Sequence, residues 1–123
     1  MFPQKILGKI NPQHLLKLAF SLHPESELLI FNDQRLTRRQ VFTNIKYLGG
    51  GLQSLGIGKG DRVATLLPSC PEAVYTMFLP QMMGSVNVPL NPLLSERELA
   101  HILKDCGARA VVTTQRLYGQ DVP

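Results

Sequence analysis

The first apolar stripe of the chain predicts an amphipathic helix near the N-terminus. Pro12 stands at the tolerated first-turn position, and the helix is expected to end at His23-Pro24. The stripe repeats at the spacing of one helical face and consists of Leu15, Leu18, Ala19 and Leu22. Such a helix could touch a membrane surface, but Lys17 and two histidines make its polar side a weak match to a basic interfacial helix. Packing on the rest of the protein is therefore favoured.

A hairpin and a long helix are predicted next. Leu28–Phe31 and Arg35-Leu36 flank the turn-forming pair Asn32-Asp33. Thr37 and Gln40 then form a capping box that starts a helix. Its apolar stripe consists of Val41, Ile45, Leu48, Leu52 and Leu55. Three glycines, 49 to 51, lie inside this helix at a cost of about 1 kcal/mol each relative to alanine, so we expect a neighbouring element to approach its backbone closely.

The second half of the chain alternates strand and helix. Strands are predicted at 62–67, at 84–90 with its end at Pro89, and at 110–113. Between them lie an apolar helix over 71–83, which Pro80 should kink or stop early, and a helix from the capping box Ser95-Glu98 to Gly107. The buried stripe of the latter consists of Leu99, Ile102, Leu103 and Cys106. This order predicts an α/β fold, with a short parallel sheet flanked by helices and a preceding β-hairpin.

Composition narrows the class of protein. The 123 residues suit one domain at most, and the longest apolar stretches fall far short of the ~20 residues that cross a bilayer. The first nine residues lack the features of a secretory signal, so the cytoplasm is the expected location. The net charge is +4, and the basic residues concentrate locally at Arg35, Arg38, Arg39 and Lys46. Without interleaved aromatics, this cluster favours a solvated surface over a phosphate-binding patch, and no nucleic-acid partner is expected.

Cysteine and histidine offer few candidates for chemistry. Cys70 and Cys106 are the only cysteines, and no pattern supports a disulfide framework or a metal site. Both are expected to be reduced, packed thiols. Alternatively, Cys70 could be a nucleophile, because it precedes a helix whose positive end would lower the thiol pKa. Its base would have to come from the three histidines, which have no signature spacing: His14, His23 and His101.

The stretch 56–61, with the sequence Gly-Ile-Gly-Lys-Gly-Asp, resembles a phosphate cradle in composition alone. Phosphate-binding loops run from a strand into a helix, whose free N–H groups face the anion. Here the order is reversed, since a helix ends and a strand begins. We therefore interpret Gly56 as the helix C-cap and the remainder as a turn, with nucleotide contact as the weaker alternative.

An ordered series of segments resembles the beginning of the adenylate-forming (AMP-binding) superfamily. The likeness runs from about residue 12 to 114, and the unbroken Val88–Pro92 favours the fatty-acyl-CoA ligases within it. The segments are Leu36–Val41, Gly51–Ala64, Leu67–Glu72, Gly84–Pro92, Glu98–Leu103 and Gly107–Arg109. Gly49-Gly50 and Pro80 depart from the usual pattern.

The resemblance implies ATP-dependent activation of a carboxylate to an acyl adenylate, followed by transfer to coenzyme A, with Mg²⁺ on the triphosphate. The family's nucleotide-binding and catalytic motifs are not found among these 123 residues. We therefore assign no catalytic, cofactor-binding or metal residue, and expect ATP, Mg²⁺ and coenzyme A to serve the full-length enzyme. Residues 1–24 are interpreted as a lead helix, and 25–123 as an incomplete N-terminal subdomain.

Two functions remain open from the sequence. One is the N-terminal scaffold of an acyl-CoA ligase. This scaffold would be inactive by itself, and its partner would be the remainder of the ligase. The other is a non-catalytic interaction module that retains the fold. Parallel sheets are normally covered on both faces, so we expect the isolated chain to be marginally stable or to self-associate through exposed apolar faces. Any membrane contact is expected to be peripheral.

Overall fold

The computed structural model describes residues 11–117 and 120–121. Helices α1 to α4 and strands β1 to β5 follow one another in the order that the sequence pattern predicts, and two short strands, β6 and β7, come after them. The order is α1 (Pro12–Ser21), β1 (Glu27–Phe31), β2 (Gln34–Thr37), α2 (Arg38–Ser54), β3 (Arg62–Leu66), α3 (Pro71–Met83), β4 (Val86–Pro89), α4 (Glu96–Cys106), β5 (Ala110–Thr113), β6 (Arg116–Leu117) and β7 (Gln120–Asp121). The short pair β6–β7 is antiparallel and was not predicted.

A three-stranded parallel sheet forms the centre of the fold. Its order is β4-β3-β5, so β3 is the middle strand, and Ala64 pairs with Val88 on one side and Val111 on the other. Strands β1 and β2 form a separate antiparallel hairpin, in which Asn32 takes the positive φ of 52° that the turn needs. The predicted α/β class, with a parallel sheet, flanking helices and a preceding hairpin, is confirmed.

Both predicted capping boxes are present. The Thr37 hydroxyl accepts from the backbone N–H of Gln40, while the Gln40 side chain accepts from the Thr37 N–H. Ser95 and Glu98 make the same reciprocal bonds at the start of α4. These bonds satisfy backbone donors that the first turn of a helix otherwise leaves free, which fixes where α2 and α4 begin.

The sheet is packed unequally on its two faces. On the face toward α2 and α3, Val63 packs with four other buried residues: Leu52, Ile57, Leu79 and Met83. On the face toward α4, Ala64, Leu66 and Leu90 are buried, but no residue of α4 is. The predicted α4 stripe does face the sheet, and its residues stay half-buried because a single short helix covers this side.

The predicted buried face of α1 is wrong. Leu15, Leu18 and Leu22 are more than half exposed, and Ala19 is exposed with them. The buried residues are instead Leu16 and Phe20, one helical turn apart. Phe20 stacks on Phe42 at 5.3 Å between ring centroids and meets Phe78 edge-on at 5.5 Å, and these aromatic contacts decide which face turns inward.

Two expectations within the other helices also fail, and a third, that Pro80 kinks or stops α3, fails as to the early stop. Leu55 is exposed, because α2 ends at Ser54 and Leu55 is its C-cap. Pro80 does not stop α3, which continues to Met83 and ends on Gly84 in the left-handed conformation. The α2 glycines are not explained by close backbone approach. A Cβ at Gly49 would meet Leu79 Cδ2 at an ordinary 3.8 Å, and at positions 50 and 51 it would meet nothing within 4 Å.

Candidate functional site

The glycine loop between α2 and β3 is the strongest candidate by composition, and five of the six backbone amides of residues 56–61 donate to groups of this chain. The amides of Gly56 and Ile57 donate to carbonyls at the end of α2, at 2.9 and 3.1 Å. The Gly60 amide donates to the Gly84 carbonyl at 2.8 Å. The Gly58 amide donates to the Asp61 carboxylate, also at 2.8 Å. Donors that are bonded within the protein are not free to hold a phosphate, so this loop is a structural turn.

Asp61 fastens this turn to the sheet. Its carboxylate accepts two bonds from Arg109 Nη1, at 3.0 and 2.9 Å, in addition to the bond from Gly58. Arg109 precedes β5, so the pair joins the entries of β3 and β5 across 48 residues of sequence. The Gly58 N–H and the Arg109 guanidinium together hold the pKa of the Asp61 carboxyl below its ordinary value of 3.8. This pair has no sequence signature and was missed by the sequence analysis.

The lowered Asp61 pKa predicts an acid-dependent contribution to stability. A carboxyl whose pKa is lower in the folded than in the unfolded state stabilises the fold above the unfolded pKa, and this contribution is lost as pH falls through the folded pKa. We expect Asp61→Asn to lower the thermal midpoint at pH 7, and the gap from the wild type to narrow as pH falls below about 3.8 and to close below the lowered pKa of the folded state. Melting curves followed by circular dichroism from pH 2 to pH 7 measure this gap.

Arg109→Gln provides the matched control. It removes the partner and leaves the carboxyl, so it should reproduce part of the loss at pH 7, and the double variant should lose less than the sum of the two single variants. Ser95 hydrogen bonds also lower the pKa of Glu98, but that contribution is common to all the variants. A gap of constant size across the whole pH range would contradict a role for the Asp61 charge.

The carboxyl edge of the parallel sheet is where ligands bind in open α/β folds. Near this edge, a surface cavity of about 310 Å³ lies between α2 and the start of α3. Its polar lining includes Asn44, whose Nδ2 donates to Tyr75 Oη at 3.0 Å, and the exposed carboxylate of Glu72. No lysine or arginine lines this cavity in the described structure, so it lacks the cations that a triphosphate needs.

Cys70 has the predicted position and an unfavourable environment for a nucleophile. It is the N-cap of α3, and its side chain makes no capping bond. Burial raises the pKa of the Cys70 thiol, against the lowering that the helix end was expected to produce, so the reactive thiolate is disfavoured. All three histidines are exposed. Among the described residues, no group of three or more His, Cys, Asp or Glu side chains is placed to hold a metal ion.

The basic cluster is largely engaged within the protein. Arg35 pairs with Glu27, and Arg39 pairs with Glu25. Lys46 Nζ lies 4.9 Å from the centroid of the Phe42 ring. Arg38 Nη1 donates to the Ala19 carbonyl at 3.0 Å. Each of these four cations has a contact of its own within the chain. No helix in the described part of the chain is long and apolar enough to cross a membrane.

Comparisons with known proteins identify the class of protein to which this fold belongs. The chain is 32% identical over 106 residues to the long-chain-fatty-acid–CoA ligase of Bacillus subtilis, covering 86% of this chain and 19% of the relative. A fatty acyl CoA synthetase from Mycobacterium tuberculosis superposes with a TM-score of 0.77 and 30% identity, over 84% of this chain and 21% of that one.

A third similar protein is the O-succinylbenzoate coenzyme A synthetase of Bacillus subtilis, solved with ATP and magnesium ion. Its TM-score is 0.75 at 33% identity, over 80% of this chain and 27% of that one. The architecture is therefore that of the N-terminal part of an adenylate-forming acyl-CoA synthetase. The family model described as "AMP-binding enzyme" matches residues 17–122, and the chain belongs to this family. It spans about a fifth of the length of the Bacillus ligase.

Proposed function

We propose that this chain is the N-terminal scaffold of an ATP-dependent acyl-CoA ligase that acts on fatty acids, and that it has no ligase activity by itself. In the proposed reaction, a fatty-acid carboxylate attacks the α-phosphorus of ATP and pyrophosphate leaves. The sulfur of coenzyme A then attacks the acyl carbonyl of the adenylate, and AMP leaves. Fatty acids are the substrate class named for the Bacillus relative and for the Mycobacterium structure.

The observation that carries the proposed inactivity is the state of the glycine loop. Its amides from Gly56 to Gly58, and those of Gly60 and Asp61, donate to groups of this chain. Phosphoryl chemistry depends on preorganised donors and cations around the triphosphate. Lys59 is the one cationic side chain of the loop, most of the loop's amides are bonded within the chain, and the lining of the cavity near α3 contains no cation. The residues that hold ATP in this proposal come from the rest of a family-length protein.

Pyrophosphate release tests this proposal. The purified 123-residue chain is mixed with ATP, Mg²⁺, coenzyme A and palmitate, and a coupled enzymatic assay follows pyrophosphate. We expect no release above the protein-free background. An extended protein, built by joining this chain to the corresponding remainder of the Bacillus ligase, should release pyrophosphate with palmitate. Turnover by the 123-residue chain would overturn the inactivity, and an extended protein active on acetate but not palmitate would overturn the substrate class.

The DNA that follows codon 123 gives an independent check. An in-frame segment rich in Thr, Ser and Gly, of the kind that holds the triphosphate in this family, would support the scaffold proposal. An in-frame stop codon with no such segment would favour the alternative of a non-catalytic interaction module.

A further inference from the structure

Two arginines begin α2 against the usual preference of a helix start. The first turn of α2 contains Arg38 and Arg39 and no acidic residue. The N-terminal end of a helix carries a partial positive charge, so cations there are destabilising unless another group neutralises them. Arg39 is neutralised by an ion pair with Glu25. None of the ion pairs within the described residues involves Arg38, so its position needs another explanation.

Arg38 interacts with the opposite end of another helix. Its Nη1 donates to the carbonyl of Ala19 at 3.0 Å, and Ala19 lies in the last turn of α1. That turn contains no basic residue of its own, and its carbonyls carry the partial negative charge of the helix end. Arg38 therefore supplies the cation that α1 lacks. Its Nε is buried and has no hydrogen-bond partner among the described residues, so the guanidinium is held against the protein at an energetic cost.

The connection from α1 to β1 is fixed to the same turn of α2. The amides of Arg38 and Arg39 donate to the carbonyls of Ser26 and Pro24, both at 3.0 Å. His23 has a positive φ of 52°, in the left-handed region that a residue with a side chain enters at an energetic cost. Rotation about the backbone of the two residues that precede Pro24 would therefore move α1 while these anchors stay in place.

The packing of α1 is separate from the core around the sheet. Leu16 and Phe20 are the buried residues of α1, and their cluster contains Val41, Ile45 and Tyr75 of α2 and α3. Neither of the two clusters that pack on the sheet contains a residue of α1. Elements with few buried contacts open before the whole domain unfolds. Departure of α1 would thus leave both faces of the sheet packed.

We propose that the Arg38 guanidinium is the tether that holds α1 to the fold, and that α1 opens as a unit when this tether is lost. Opening withdraws Phe20 from the rings of Phe42 and Phe78 and uncovers an aromatic surface on α2 and α3. Because a charged donor makes a stronger hydrogen bond than a neutral one, loss of the tether changes the population of the open state measurably. This motion is independent of the proposed ligase function.

Hydrogen–deuterium exchange of the 123-residue chain, followed by mass spectrometry of peptic peptides, measures the opening. In the wild type, the α1 amides should exchange faster than those of Val63–Thr65 in the middle strand. Arg38→Gln should speed exchange of the α1 amides about tenfold and leave Val63–Thr65 unchanged. Arg39→Gln is the matched control, because it removes the neighbouring cation and an exposed ion pair, and α1 should then exchange at the wild-type rate. Arg38→Lys keeps the charge without the planar guanidinium and should restore part of the protection.

Three results of the exchange experiment would overturn the proposal. One is unchanged exchange of α1 in Arg38→Gln. Another is equal acceleration in α1 and in Val63–Thr65, which describes global unfolding. The third is equal acceleration by Arg39→Gln, which would assign the effect to the charge of the α2 start in place of the bond to Ala19.

Thermolysin, which cleaves before leucine and phenylalanine, gives a second measurement under native conditions. Cleavage within α1 follows the population of its open state when opening and closing are fast. We expect Arg38→Gln to speed this cleavage about tenfold, while cleavage at the exposed Leu93 between β4 and α4 keeps its wild-type rate. Equal rates of α1 cleavage in the variant and the wild type would contradict the tether.

Discussion

Replacing Leu79 with alanine is expected to lower the free energy of unfolding by about 3 kcal/mol. Leu79 is 1% exposed and lies among the buried residues that join α2, α3 and the sheet. Its side chain also lies near Gly49, where a Cβ would meet Leu79 Cδ2 at an ordinary 3.8 Å. Truncation leaves a cavity between two helices and a strand, and such a site cannot collapse without moving all three. Urea unfolding followed by circular dichroism measures the change.

Met77→Ala is the matched control, because it lies two residues away on the same helix and is 63% exposed. The change in helix propensity is small, so we expect its effect to stay below about 0.5 kcal/mol. A Leu79→Ala loss no larger than that of Met77→Ala would mean that the packing between α3 and β3 is not formed in solution. A low denaturant midpoint of the wild type, with an ordinary slope, would indicate the marginal stability that the sequence predicts.

Local signals in the sequence located most of the elements. The capping boxes at Thr37 and Ser95 act within a single turn, so they specify the starts of α2 and α4 without reference to the rest of the chain. The strand at Ala110–Thr113 was predicted with its observed bounds, because a β-branched run follows a glycine that ends a helix. These features depend on neighbours only a few residues apart.

Local signals did not predict which face of α1 is buried. The helix carries two apolar sets, a stripe led by Leu15 and Leu18, and the pair Leu16 and Phe20. Periodicity favours the larger set, whereas the structure buries the pair, because Phe20 meets aromatic rings of α2 and α3. The buried face is selected by Phe42 and Phe78, which lie 22 and 58 positions from Phe20. The periodicity of one helix carries no information about such distant residues.

The candidate site likewise combines features that could be predicted from the sequence with features that could not. The order of elements around the glycine loop was enough to predict a turn in place of a phosphate cradle, since a helix precedes it and a strand follows it. The acceptors that occupy its amides were not predictable. The Asp61 carboxylate is anchored by Arg109 only after the sheet has brought β3 and β5 together. The family was predicted from a series of short segments, each of which is weakly specific by itself. The order in which they follow one another along the chain makes the series specific.

The two outer glycines of α2 offer the largest expected gain in stability. Gly50 and Gly51 lie inside the helix and are exposed, and a Cβ at either position would meet nothing within 4 Å. The double change Gly50→Ala and Gly51→Ala should raise the free energy of unfolding by about 2 kcal/mol, because alanine loses less backbone entropy on entering a helix. Residues i and i+1 point in different directions, so the two gains should be close to additive. Thermal and urea unfolding of the single and double variants measure them.

Gly84→Ala is the control that should change stability in the opposite direction. Gly84 ends α3 with a φ of 71°, and a Cβ there would lie 3.0 Å from Lys59 Cγ. The same substitution therefore meets backbone strain and a close contact at position 84. If alanine at 50 and 51 destabilised the chain as well, a partner that packs against this surface of α2 would be required. The exposed side of α2 would then be an interface. Close approach of that partner to the helix backbone would explain the two glycines, since no described residue lies within 4 Å of a Cβ at either position.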